Sequence, residues 1–127
     1  MRFIILVKAT ASSEAGTQPP PEIFAAMAEY HERLAKAGVL LDANGLQPSS
    51  RGWRIEYSDG KKTVVDGPFT ESKELIAAYT IIQTRTRDEA LEWATRFPNP
   101  FLEDCEIEMR QLHELEDFGD MTRRTRQ

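Results

Sequence analysis

The stretch Val65-Asp66-Gly67-Pro68-Phe69-Thr70-Glu71-Ser72-Lys73-Glu74 concentrates the residue types that proton-transfer chemistry uses. An apolar strand stops at Asp66. Gly67 permits a positive φ and Pro68 fixes the backbone angle after it. Phe69 can anchor the corner, and Thr70 can open one helical turn bearing Glu71, Lys73 and Glu74. Such a corner can set a carboxylate and an ammonium toward one pocket, the raw material of acid–base work. Asp66, Lys73 and Glu74 are therefore candidate catalytic groups, with Gly67, Pro68 and Phe69 shaping a ligand site beside them. The competing reading is a sharp turn with solvated charges. From chemistry alone the turn is favoured, because turns use these residue types everywhere.

His31 is a further, weaker candidate, since imidazole titrates near neutral pH. On a helix edge beside Phe24 it reads more readily as a half-exposed packing residue. Tyr30, His31 and Arg54 are the expected opposite walls of a cleft near Asp66. Two histidines far apart, His31 and His113, make no metal motif, so no metal is expected. Cys105 shares an apolar phase with Ile107 and Met109 and reads as a buried, unreactive thiol. No phosphate-binding glycine loop, no Ser–His–acid order and no zinc spacing occurs, and no cofactor is expected.

These groups must be held by a small set of elements. Phe3–Val7 is a short apolar run that reads as a strand buried on both faces. Residues 11–17 are small and polar and read as a loop. Pro19, Pro20 and Pro21 lead into a helix whose stripe is Ile23, Met27, Tyr30 and Leu34, with Gly38 as its C-terminal cap. A second strand runs from Val39 toward Asn44-Gly45. Trp53, Ile55 and Tyr57 alternate with charged residues, and Asp59-Gly60 predicts a two-residue hairpin turn. Residues 75–83 form another apolar strand. Thr86 and Glu89 predict a capping box for a helix burying Ala90, Ala94 and Phe97, with Trp93 alongside. A half-buried strand carrying Cys105, Ile107 and Met109 follows. The domain is expected over residues 1–112, with a polar tail at 113–127.

The order strand, helix, strand, hairpin, strand, helix, strand predicts an α+β, ferredoxin-like fold: a βαββαβ-type sheet with an inserted β-hairpin and helices on one face. Two helices cover one side of a sheet. The apolar runs at 3–7 and 75–82 require a second cover, and a second copy of the chain supplies it, giving a homodimeric α/β barrel.

Composition bounds the function. The 127 residues are 40% hydrophobic and 29% charged, with a net charge of -5 and one cysteine. An acidic surface repels a phosphate backbone, so nucleic acid is not an expected partner. No apolar run approaches the ~20 residues of a membrane span. A chain starting at Met1 in a reducing cytoplasm is the expectation.

The block Asp66-Gly67-Pro68-Phe69 with Glu71 and Lys73-Glu74 resembles the signature of the DGPF-domain branch of the YCII-related family. Ala37–Leu41 running into Gly45-Leu46-Gln47-Pro48, Asp88–Ala94 with Pro98, and Glu106–Arg110 resemble its second strand, second helix and last strand. The resemblance covers residues 1–112 and implies a ferredoxin-like dimeric α/β barrel of uncharacterised function. The histidine and aspartate proposed to act in other YCII proteins fall by matching at Met27 and at Phe97 or Asn99, so that pair is absent here. Two functions follow as expectations. One is a homodimer binding a small molecule near the Asp-Gly-Pro-Phe corner, with acid/base activity. The other, which the resemblance implies through sigma-factor association, is a non-enzymatic regulatory protein linked to transcription and acting through protein contacts.

Overall fold

A computed structural model describes residues 1–119, apart from the side chain of Lys73. Strand β1 (Arg2–Lys8) lies at the centre, between β5 (Ile76–Gln83) and β6 (Ile107–Gln111), and β2 (Leu40–Gly45) adds to the far edge of β5. The order β2-β5-β1-β6 is antiparallel at every step. With α2 (Pro21–Lys36) and α3 (Arg87–Thr95) as the two long connections, this is the ferredoxin-like plan. Strands β3 (Trp53–Ser58) and β4 (Lys61–Asp66) are inserted between β2 and β5 and form a separate two-stranded sheet. Among the described residues, no helix is long and apolar enough to cross a membrane.

Alternation on β1 decides where the core sits. Phe3, Ile5 and Val7 are buried, whereas Ile4 and Leu6 on the other face are only half-buried. The expectation of burial on both faces is therefore corrected: within one chain, only the face toward the helices is closed. Phe3 and Ile5 pack with Ile82, with Tyr30 and Leu34 of α2, and with Ala90 and Ala94 of α3. Pro20 and Pro21 start α2 where a missing N–H costs nothing, and Gly38 ends it at φ +75°. Its outer face carries Glu29–Arg33 and Glu32–Lys36 ion pairs at helical spacing, solvated and worth little.

Three local expectations are revised. Residues 11–14 are not loop but a one-turn helix, α1 (Ala11–Glu14), because Thr10 and Ser13 exchange hydrogen bonds in a capping box. At α3 the Thr86 hydroxyl accepts from the Glu89 N–H, but the Glu89 carboxylate reaches the Arg85 N–H rather than that of Thr86. Cys105 precedes β6 instead of lying in it. Its thiol approaches Asn99 Oδ1 at 3.4 Å, and burial with the nearby Glu103 and Asp104 charges raises its pKa. Past β6, Glu114 pairs with Arg2 at 2.9 Å and Leu115–Phe118 makes a 3-10 turn, while residues 120–127 of the expected tail lie outside the described residues.

Tyr30 joins the two long helices. Its buried hydroxyl donates to the Trp93 carbonyl at 2.6 Å, and its ring meets those of Trp93 and Phe97 edge-on. Desolvation pushes the phenol up to about 12, against a smaller opposing pull from Arg96. A raised folded pKa means stability that is complete below the ordinary tyrosine value near pH ~10 and is lost as pH rises toward 12. Tyr30→Phe should cost about 1 kcal/mol at pH 8 for the hydrogen bond. It should also flatten the decline in denaturation midpoint between pH 10 and 12; a wild-type decline retained unchanged by the variant assigns it to other groups.

Candidate functional site

The helix-facing side of the sheet is filled unevenly. Large side chains over β1 close the centre, but β2 and β5 present Ala43, Gly45 and Ala78 toward α2. What remains is a cavity of about 890 Å³ between α2 and the β2–β5 edge. Its walls are mainly apolar: Ile23, Phe24 and Met27 from α2, Leu40 and Ala43 from β2, Ala78 from β5, and Phe97 and Phe101 after α3. Ser13, Gly16 and Pro48 rim its mouth.

His31 and Thr80 supply hydrogen-bonding groups to this wall. His31 Nδ1 lies 2.8 Å from the Met27 carbonyl and Nε2 lies 2.8 Å from Thr80 Oγ1. A carbonyl only accepts, so Nδ1 carries the proton. In the neutral ring Nε2 then accepts from the Thr80 hydroxyl. The Tyr30 and Phe97 rings flank the imidazole edge-on at 5.5 and 6.1 Å. The arrangement is a hydroxyl, an imidazole and an orienting carbonyl in line, and it fixes the ring in one tautomer. Thr80 is 2% exposed, so its oxygen is screened from solvent and the imidazole is the more accessible partner. A second polar group borders the cavity at the β2–β5 edge, where Tyr79 donates to Asp42 and accepts from Asn44, each at 2.9 Å.

The sequence-predicted residues are dispersed. His31 lines the cavity. Tyr30, one position along the helix, turns into the core instead. Asp66 is exposed at the end of β4, and its carboxylate accepts no hydrogen bond from the described residues. Glu74 is exposed on a 3-10 turn at Ser72–Glu74, and the side chain of Lys73 lies outside the described residues. Arg54 stacks its guanidinium on the Phe69 ring, 3.8 Å from the centroid. None of Asp66, Gly67, Pro68, Phe69, Arg54 or Glu74 lines this cavity, which lies deeper along α2. Thr80, Ala43 and Gly45 were not anticipated as parts of a cavity wall; the sequence signal available was Phe24 and His31 recurring on one edge of the helical stripe. Among the described residues, no group of three or more His, Cys, Asp or Glu side chains is placed to hold a metal ion.

The corner reaches the cavity at one remove. The Phe69 N–H donates to Ser49 Oγ at 3.0 Å and the Gly67 N–H to the Gly52 carbonyl at 2.9 Å. The Ser49 N–H donates to the Glu14 carboxylate at 2.9 Å, and the Ser49 hydroxyl meets the same carboxylate. The Gly67–Pro68 peptide is cis. Corner, 3-10 turn (Ser49–Arg51) and α1 are thus pegged together behind Pro48 and Ser13 of the rim. Contact at Gly67 leaves no room for a side chain, because a Cβ there would lie 1.8 Å from the Ser49 carbonyl oxygen. Gly67→Ala should destabilise the protein by about 2 kcal/mol through forced backbone displacement, read as a lowered urea midpoint. Gly45→Ala, whose Cβ meets nothing within 4 Å, should have a far smaller effect. Equal losses for the two would refute the tight contact.

An uncharacterised protein of Rhizobium meliloti (strain 1021) is 29% identical over 86 residues, which is 68% of this chain and 69% of that protein. Residues 1–115, from the central strand through the strand β6 that completes the sheet, match the YCII-related domain, and the chain belongs to that family.

Proposed function

We propose that this protein is a homodimer whose protomers each bind a small, predominantly apolar molecule in the cavity beneath α2, with His31 as the group for hydrogen bonding and proton transfer to it. The observation that carries this reading is the cavity itself. Its volume of about 890 Å³ falls within the ~300–1,000 Å³ usual for ligand sites, and a tautomer-fixed imidazole stands in its wall. Acid–base work would draw on the imidazole edge, with Thr80 as the donor to Nε2 that a ligand hydroxyl replaces. In this reading Asp66, Lys73 and Glu74 belong to the corner that buttresses the mouth rather than to the reacting centre.

Screening small aromatic and alicyclic compounds by thermal shift tests the cavity. A ligand at ~100 times its Kd should add about 2.7 kcal/mol of stability. Ala78→Phe, which fills the cavity from β5, should abolish that shift while leaving the fold intact. If every compound that raises the wild-type Tm raises that of Ala78→Phe equally, the site lies elsewhere.

The homodimer reading is supported by the sheet. Both long helices contribute to the core on one face, while Ile4, Leu6, Tyr79 and Ile81 occupy the other and are only half-buried. Covering such a face returns ~25 cal/mol per Å² before association costs. Leu6→Lys should convert the dimer into a 14.5 kDa particle in sedimentation. The wild type should remain dimeric in high salt, because the contact is apolar. A wild type sedimenting as a monomer at micromolar concentration would end this reading.

A further inference from the structure

The β3–β4 hairpin poses a separate problem. Alternation and the register Trp53↔Asp66, Ile55↔Val64 and Tyr57↔Lys62 put these six residues on one face of the ribbon. All four apolar members are open to solvent: Trp53 65%, Ile55 48%, Tyr57 73% and Val64 65% exposed. Trp53 therefore takes no part in the core of its own chain. Two-stranded ribbons are marginal in water unless something packs on an apolar face. The opposite face is occupied at its base, where Arg54 stacks on Phe69.

We infer that this face docks on the same face of a second copy of the chain, arm against arm and antiparallel. The ordering of its residues specifies that partner. Asp66 marks the base of the stripe and Lys62 its tip, with the apolar residues between them. A two-fold axis through Ile55 and Val64 sets each Lys62 against the Asp66 of the other arm, and each Trp53 beside the other Tyr57. A surface whose charges are opposite at its two ends is complementary to itself under such an axis, as an isologous contact requires. Face-to-face packing of two ribbons with nearly aligned strands is a common sheet geometry. Two rings and two branched side chains offer on the order of 500 Å² per arm, so two arms bury roughly 1,000 Å², where specific interfaces begin. Asp66 thereby has a partner, which no described residue of its own chain provides.

The inference rests on the homodimer reading only in requiring that copies associate, and the test separates the two. In a Trp93→Phe background Trp53 is the sole tryptophan. Its emission should shift to the blue as concentration rises, in step with the sedimenting mass. Lys62→Asp and Asp66→Lys should each raise the dimer Kd roughly tenfold by facing like charges. Mixed together, the two variants should recover wild-type affinity, because both cross pairs become attractive. Trp53→Ser with Tyr57→Ser should weaken association by at least about a hundredfold while leaving the thermal midpoint of the monomer unchanged. If Trp53 keeps the emission of tryptophan in water where the particle is a dimer, or if the charge variants neither weaken nor rescue association, the arm contact is overturned and the sheet dimer stands. A chain monomeric throughout overturns both.

Discussion

Everything in this chain hangs on the pairing of β1 with both of its neighbours. Because β1 is hydrogen-bonded on each side, its alternation sets the facing of the whole sheet. Phe3, Ile5 and Val7 are directed toward the helices, and Ile4 and Leu6 away from them. Burying large side chains of this kind is worth about 1.5–3 kcal/mol each. A slip of one residue would exchange the two faces and cost the helices their platform. The helices follow from the platform: α2 and α3 lie where Tyr30, Leu34, Ala90 and Ala94 can meet it.

The cavity is a consequence of the same alternation with smaller residues. Where β2 and β5 direct Ala43, Gly45 and Ala78 inward, the helix above stays at a height set by Phe3, Ile5 and Leu34. The gap is not filled, and His31 closes it only in part. Its two hydrogen bonds spare a half-buried polar ring the cost of lost water and hold it against the cavity wall. Site and core are therefore one construction, in which side-chain volume is high at the centre of the sheet and low at its β2 edge.

Much of this was legible in the chain. Period-two runs at 53–57 and 105–110 and the helical stripe from Ile23 to Leu34 predicted their elements, although β6 starts only at Ile107, and Asp59-Gly60 predicted a turn whose two residues do take positive φ. The element α1 was not legible, because a capping box between Thr10 and Ser13 uses residues that read as loop. Cavities are harder still, since missing volume is a sum over several elements and leaves no motif. Thr80 stands 49 positions from the histidine it bonds, and only the sheet brings them together. The corner at Asp66 stood out for its residue types, yet those types also serve a backbone contact too close for any residue but glycine at position 67.

The peg at Ser49 has a bearing on how the molecule breathes. The amides of Ser49, Phe69 and Gly67 all hydrogen-bond to groups at or beside this one turn, and Glu14 is held by the same serine. Releasing the turn frees all of them at once, while the strands of the main sheet remain paired. A shared anchor of this kind makes solvent exchange at these amides an expected single opening rather than three independent ones. Such an opening would loosen α1, Pro48 and the corner together, because the hydrogen bonds that tie them meet at Ser49.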